Sequence, residues 1–388
     1  MSSTALLSSD GASSISSYQI SKRQKIAQAL ELTGLFFSKP VHIASKPLIR
    51  ALATPICPGQ DGNLSSYSLE LIWRIFVVTI CIITAPITIP LALIGAGMEK
   101  IADIVNHTPY THWKGTAKEQ EDTGNYRLMT LNGCMLWGGL PIMYGGMRPP
   151  SDRMDQLASK IRAADPDVFV MQEMSFDASY QLYSKLKGNY ANFFTRIGPN
   201  PPMMESGLFV ASKYPINNAG FILFPDQTQM KRGAFWIETP KSFVFTTHME
   251  FGHTEKDANM RKEQFEMIWN QIEECKKRKP CFLLGDFNID RSKTKEYDVL
   301  EIEEKFHDPY LTEHPIITAE SSTCTNEISA HVLGEKAPDN PWELDDYALL
   351  AKGDHRYKLD SKLLQMYDNN KPDKALSDHR GLLLTATA

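Results

Sequence analysis

An α/β fold is predicted for the larger part of the chain, residues 125–388, by two observations. Short apolar runs of strand length alternate with stretches whose apolar residues recur at helical spacing. Several of those runs stop abruptly on an amide, acid or histidine, as strands do where a sheet meets its loops. A third observation sets the N-terminal part aside: the 24 consecutive residues from Ile75 to Met98 carry no charge.

Taken in order, residues 1–70 read as a flexible N-terminal region, Ser-rich over Met1 to Tyr18 and only moderately apolar over Ala27 to Phe37, without the charge, apolar run and cleavage site of a signal peptide. Residues 71–98 hold the uncharged segment, which is long enough to cross a bilayer core as a helix although Pro86 and Pro90 would kink it; a hairpin-like insertion and a buried soluble helix compete with a span. Lys22, Arg23, Lys25, Lys39, Lys46, Arg50 and Arg74 outnumber the cations shortly after the segment. If it spans, that bias places the N-terminus in the cytoplasm and the C-terminal domain on the other side, a membrane-associated or secreted placement. Residues 99–124 carry mixed charge, as a linker would.

Within residues 125–388, Arg127 to Leu131 reads as a strand. Ser151 to Ala164 reads as a helix with Met154, Leu157, Ala158 and Ile161 on one face and Ser151 as N-cap, ended by Pro166. Val168 to Met171 is the next strand and Phe243 to Thr247 another. A helix from about Asn259 places Phe265, Ile268, Trp269 and Ile272 together, and the run Pro280 to Leu284 follows directly as a buried strand. The six cysteines show no CxxC pair and no regular spacing, so they are expected as thiols, with Cys81 and Cys281 in apolar runs. A net charge of −5 counts against a chain built to hold nucleic acid.

The chemistry concentrates in Gly285-Asp286-Phe287-Asn288, after that buried strand, and in Ser377-Asp378-His379 near the C-terminus. Asp286 can hold a hard divalent cation or an attacking water, the Asn288 amide can donate to a phosphate oxygen, and His379 is a base that titrates near neutrality. Together they indicate metal-assisted phosphoester hydrolysis. Further signals close other strands: Leu131-Asn132, Gln172-Glu173, Thr247-His248, and Asp345-Asp346-Tyr347 ahead of the final motif. His253, His307, His314, His331 and His355 lie outside these motifs and are expected to be surface or structural residues.

In this order the motifs resemble those of the endonuclease/exonuclease/phosphatase superfamily across residues 125–388. Within it the chain looks most like neutral and bacterial sphingomyelinases. That likeness rests on Asn132 with Trp137-Gly138-Gly139-Leu140-Pro141, Gln172-Glu173, Ser206-Gly207-Leu208 running into Ser212-Lys213-Tyr214-Pro215-Ile216, Lys231-Arg232-Gly233 and Thr247-His248. Inositol-phosphate 5-phosphatases would show an aromatic-Arg pair where this chain has Ile289-Asp290, and abasic-site nucleases an acid where it has Cys134. The resemblance implies a four-layer α/β/β/α sandwich of two packed sheets flanked by helices. It implies Glu173 as the principal Mg²⁺ ligand, with Mn²⁺ or Co²⁺ as substitutes, and Asn132, Asp286 and Asp378 on the metal side. Asn288 and His248 would donate to phosphoryl oxygens and His379 would deprotonate water. Asp346 would orient its imidazole, with the adjacent Asp345 as the competing choice. The implied substrate is sphingomyelin or a related membrane phospholipid. A nuclease, a phosphoinositide phosphatase and a non-catalytic membrane-inserted lipid-binding protein are the alternatives. Lys231 and Arg232 could steer an anionic head group, and the segment from Trp137 to Met147 could dip into lipid.

Overall fold

The computed structural model describes residues 20–52, 64–135, 147–198, 206–225, 232–291, 295–325, 342–353, 356–368 and 371–388. One sheet has seven strands in the order β1 (Thr111–Lys114), β4 (Asn192–Thr195), β5 (Phe209–Ser212), β3 (Val168–Met174), β2 (Tyr126–Met135), β17 (Gly381–Thr387) and β14 (Lys358–Leu364). The other has six: β10 (Phe306–His307), β13 (Asp346–Ala351), β9 (Cys281–Asp286), β8 (Phe243–His248), β7 (Gly233–Glu238) and β6 (Asn218–Leu223). Each sheet has one parallel pair, β2 with β3 and β8 with β9. A parallel pair needs a long crossover, and helices α3 (Pro150–Ala164) and α5 (Glu255–Cys275) supply the two. Helix α4 (Phe176–Leu186) lies beside α3. Short helices α6 (Glu296–Val299), α7 (Ile302–Lys305) and α8 (Pro309–Glu313), and two ribbons, β11 (Cys324–Thr325) with β12 (Trp342–Glu343) and β15 (Tyr367–Asp368) with β16 (Lys371–Ala375), complete the described domain.

Alternation along the strands builds the layers. Met129, Leu131, Phe169 and Met171 point outward under α3 and α4, where Met154, Leu157, Ile161 and Leu182 cover them. Leu128, Val170, Leu284 and Leu384 belong to the core that joins the two sheets, and the Tyr126 ring meets Phe282 across it at 5.1 Å. Phe265, Ile268 and Ile272 of α5 close the far side. This is the four-layer sandwich that the family resemblance implies. Residues that continue the inner faces to the strand ends are Asn132 and Gln172 on one sheet and His248, Asp286 and Asp346 on the other.

Several local expectations are corrected. Helix α3 starts one residue before Ser151, with Pro149 as N-cap and Pro150 in the first turn, where a missing N–H costs nothing. Helix α5 starts at Glu255, four residues before Asn259, because Thr254 and Asp257 form a reciprocal capping box ahead of the first apolar position. The flexible N-terminal region is helical over Lys22–Leu52, here α1, and the uncharged segment sits in one helix, α2 (Leu64–Asn106). The two pack closely at Gly34 and Gly95; a Cβ on Gly95 would come within 2.6 Å of the Gly34 carbonyl. The expected linker is structured too: α2 runs to Asn106, and β1 is an edge strand paired with β4 from Thr111 to Lys114. Among the described residues α2 is the one helix long and apolar enough to cross a membrane, by length and composition. The Ser-rich tail, Trp137 to Pro141, Lys231, His331 and His355 lie outside the described residues.

Of the cysteines, Cys134, Cys275 and Cys281 are buried and Cys81 and Cys324 half-buried, all free thiols.

Candidate active site

The strand registers set the site. Asp346 of β13 pairs with Asp286 of β9, and Asp286 pairs with His248 of β8, so three polar side chains stand in one row on the inner face of the six-stranded sheet. Facing them, Asn132 pairs with Gln172 at the end of the β2–β3 ladder. Gln172 donates to Thr130 Oγ1 at 3.2 Å and, across the gap between sheets, to Thr246 Oγ1 at 3.3 Å, which fixes the spacing just below the site.

Glu173 is reached by a backbone turn. Simple alternation would send it toward the helices, but its φ of 57° lies in the left-handed region and brings the carboxylate back to the pocket. Gly207 packs there; a Cβ on it would stand 3.3 Å from the Glu173 nitrogen. Gly285 is needed for a similar reason: its φ is 151°, and a Cβ would lie 2.1 Å from the Thr247 carbonyl, so only glycine lets β8 and β9 present His248 and Asp286 side by side.

The Asn132 amide nitrogen donates to Glu173 Oε1 at 3.0 Å and Asp286 Oδ2 at 2.9 Å, bridging the two sheets. Its Oδ1 accepts from the Cys134 N–H at 3.0 Å. Asn132 therefore orders the two carboxylates in this arrangement, with its amide nitrogen toward them and its oxygen on the Cys134 N–H. Asp286 also accepts from the Asn288 N–H at 2.9 Å, and one amide hydrogen of Asn288 is committed to the Met249 carbonyl at 2.9 Å.

His379 Nδ1 lies 2.7 Å from Asp346 Oδ2. The choice left open between Asp345 and Asp346 is thus settled by geometry: Asp346 is fully buried against the imidazole, while Asp345 offers its carbonyl to the Phe287 N–H and sits with Cys324 and Glu343. Ser377 Oγ donates to the Asn132 carbonyl at 2.6 Å and accepts from the His379 N–H at 3.1 Å, tying the C-terminal motif to β2. Ligand atoms of Asp286, Asp346 and His379 all fall within 4.8 Å of one another. All eight residues singled out from the sequence, Asn132, Glu173, His248, Asp286, Asn288, Asp346, Asp378 and His379, therefore come to one end of the sandwich.

The electrostatics are those of an acid-rich pocket. Burial, then Asp378, pushes the Glu173 carboxyl up to about 7 even though one edge of it stays open. Burial, then Asp346, pushes Asp286 up to about 6. Among the described residues no lysine or arginine pairs with Glu173, Asp286 or Asp378. Glu173 and Asp286, with raised proton affinity and no such partner, crowd with the Asp378 carboxylate into a set of oxygen donors that a small hard divalent ion fits. His248 is held neutral: burial, reinforced by Arg232, depresses it well below the ordinary histidine value, so its 3.7 Å approach to Asp286 is not an ion pair. For His379 burial works in the same direction but is overcome by Cys324 and Asp346, and its proton affinity rises well above the ordinary value. Since burial keeps the Cys324 thiol protonated, with its pKa pushed to about 12, Asp346 is the partner that acts at neutral pH.

Sequence reasoning missed Arg153. Its fully buried guanidinium donates to the carbonyls of Arg148 at 2.9 Å, Gly133 at 3.2 Å and Cys134 at 2.6 Å, and to that of Leu376. It thereby clamps the chain just past Asn132 to the chain just before Ser377. Only its place on the apolar face of α3, four residues before Leu157, could have marked it.

The sequence model of a family described as the Endonuclease/Exonuclease/phosphatase family matches residues 132–325, half of the chain. No curated protein matches the sequence. Among solved structures, that of SmcL is 19% identical with a TM-score of 0.53 over 68% of this chain and 99% of its own. Beta toxin from Staphylococcus aureus, in a variant with bound magnesium ions, is 17% identical with a TM-score of 0.53 over 68% and 100%. TDP2 from D. rerio, complexed with a single-strand DNA product, is 17% identical with a TM-score of 0.51 over 68% and 99%. These likenesses are of fold.

Proposed function

Because the chain belongs to the endonuclease/exonuclease/phosphatase family, whose members are generally metal-dependent hydrolases, we propose that it is a Mg²⁺-dependent phosphodiesterase acting on sphingomyelin and giving ceramide and phosphocholine. The observation that carries the hydrolytic part is the facing of two unlike halves across one pocket: the His379–Asp346 pair on one side and the Asn132-bridged Glu173 and Asp286 on the other. The choice of sphingomyelin is supported by the sequence motifs that resemble sphingomyelinases and by the exposed apolar helix α2, which suits a substrate resident in a bilayer.

In this reading Glu173, with Asp286 and Asp378 beside it, would hold the divalent ion, which when bound neutralises a phosphoryl oxygen and favours in-line attack. Asp346 accepts a hydrogen bond from the Nδ1–H of His379 and so leaves Nε2 to take a proton from water. His248, neutral and buried, donates one N–H toward a phosphoryl oxygen, as does the uncommitted amide hydrogen of Asn288. Asn132 keeps the two carboxylates together without adding charge.

The test is product analysis with the full-length protein on sphingomyelin vesicles, mixed phosphoinositides and single-stranded DNA, each with Mg²⁺ or EDTA. Ceramide and phosphocholine that disappear with EDTA and in His379→Ala support the proposal. Phosphate release or DNA cleavage with the same dependence would retain the metal chemistry and replace the substrate. No product from any of the three would favour a lipid-binding role without turnover.

A further inference from the structure

The uncharged segment has the length to span a bilayer, but its surroundings do not leave it free to do so. Helix α1 runs antiparallel to α2, with Gly34 against Gly95 at one level and the Cys81 thiol on the Ala44 carbonyl, at 3.1 Å, at another. The opposite side of α1 is braced on the catalytic domain over the same length. At one end Thr111 donates to Glu31 at 2.6 Å, and Arg196 lies 3.5 Å from Glu31, 3.4 Å from Glu99 and 2.7 Å from Asp103. At the other, Lys46 pairs with Asp152 of α3 at 3.0 Å. Between them, Leu35, Lys39 and His42 line a cavity of about 630 Å³ whose far wall includes Pro150, Ser175 and Tyr180.

Glu31 to Lys46 covers roughly 22 Å of helix and Cys81 to Glu99 roughly 27 Å, each alone most of the ~30 Å hydrocarbon thickness. The stretch of α2 that would have to sit in hydrocarbon is therefore level with α3, α4 and the charged side chains of Lys39, Lys46, Asp152 and Asp177. A perpendicular span would draw the catalytic domain into the bilayer with it, where charged side chains are disfavoured.

We infer that the α1–α2 hairpin lies in the plane of a lipid surface, with the outer face of α2 inserted into one leaflet and the catalytic domain resting on the same side. Only 11% of the most apolar stretch of α2 is buried, unlike a core helix, and Phe76, Ile83, Ile87 and Leu93 are more than half exposed on it. Charge selects the lipid. The two helices carry eight Lys or Arg against four Asp or Glu, in a chain whose net charge is −5. Three of the four acids, Glu31, Glu99 and Asp103, are turned inward to Arg196, while Lys22, Arg23 and Lys25 stand exposed at the start of α1, so the hairpin presents cations to an anionic surface. The groove opens beside Ser175, two residues from Glu173, so an in-plane hairpin also brings the site toward the lipid.

This rests on the membrane association proposed above and not on the substrate, so the inactive His379→Ala protein serves for the test. A fluorescent amino acid placed singly at Phe76, Ile83 or Leu93 of the full-length protein is quenched by phospholipids brominated at different acyl depths, in vesicles with and without phosphatidylserine. Equal, shallow depths at all three positions are expected, with binding strengthened several-fold by phosphatidylserine and weakened by salt. A profile deepest at Ile83 and shallower at both ends would overturn the inference in favour of a span. Absence of quenching with a dimer in solution would overturn it in favour of a second copy covering α2. Because catalysis is silent in this variant, failure here leaves the hydrolase reading intact, and failure of the product assay leaves this result standing.

Discussion

Asp346 does more to His379 than aim its ring. At 2.7 Å it raises the proton affinity of a group that burial alone would lower, so the pH at which the base becomes available depends on this one carboxylate. In Asp346→Asn the packing is nearly unchanged while the stabilisation of the imidazolium is lost. The acid limb of kcat should therefore move to lower pH, and the plateau should fall by roughly 10²–10⁴-fold as the tautomer is no longer enforced. A pH–rate series reads both, and an unmoved limb would remove His379 as the titrating base. Glu173 makes the converse case. A carboxyl pushed up to about 7 opposes folding once ionised, so without metal it costs up to ~3 kcal/mol at neutral pH. The sign is fixed by the direction of the shift: the cost is absent below the unfolded value and grows as pH rises above it. Glu173→Gln should thus melt higher than the parent in EDTA, lose the rise in Tm that Mg²⁺ gives the parent, and be inactive. A parent-like response to Mg²⁺ would place the ion elsewhere.

At the level of elements, the site is assembled from strand ends held by contacts that no single segment contains. Arg153 reaches Gly133 and Cys134 on one side and Leu376 on the other, so the Asn132 and His379 ends of the site share one clamp. Lysine keeps the charge but lacks the fork. Arg153→Lys should lose at least about 2 kcal/mol of stability from unsatisfied carbonyls, and kcat should drop about 10²-fold from misplaced groups with KM little changed. Denaturant melts and steady-state kinetics separate the two effects, and unaltered kcat in a destabilised protein would reduce Arg153 to a packing residue. The same contrast explains what the sequence could reveal. Glu173, His248 and Asp286 are legible because each follows an apolar run, a signal carried by neighbours in the chain. Arg153 and the bridge through Asn132 depend on partners tens or hundreds of residues away, and the one local hint is the place of Arg153 on the apolar face of α3. The start of α5 was misplaced because Thr254 and Asp257 cap a first turn with no apolar residue. Helix α1 escaped because Pro40 and Pro47 interrupt it and its apolar positions face α2 as well as solvent. Strand β1 escaped because four residues carry too little alternation to be read before β4 is known to pair with them.

For the whole molecule, the question is what couples the hairpin to the sandwich, and Arg196 is where three of its parts meet. Its guanidinium lies over the Phe176 ring of α4 at 4.7 Å while contacting acids of α1 and α2, and its own side chain is only 5% exposed. Burial raises the Glu99 carboxyl above its ordinary value even with Arg196 beside it, so the cation is offsetting a desolvation cost and not adding a surplus. Arg196→Gln would leave Glu31, Glu99 and Asp103 clustered without it. The expected loss is ~3–5 kcal/mol at neutral pH, as for a buried pair that has lost one partner. It should shrink as pH falls, because a carboxyl whose folded proton affinity exceeds its unfolded one destabilises only when ionised, and protonation relieves it. Melting temperatures of the two proteins compared from pH ~8 down to ~5 should therefore converge. A constant difference across that range would mean that Arg196 holds the hairpin by packing on Phe176, and that the three acids do not report on the joint.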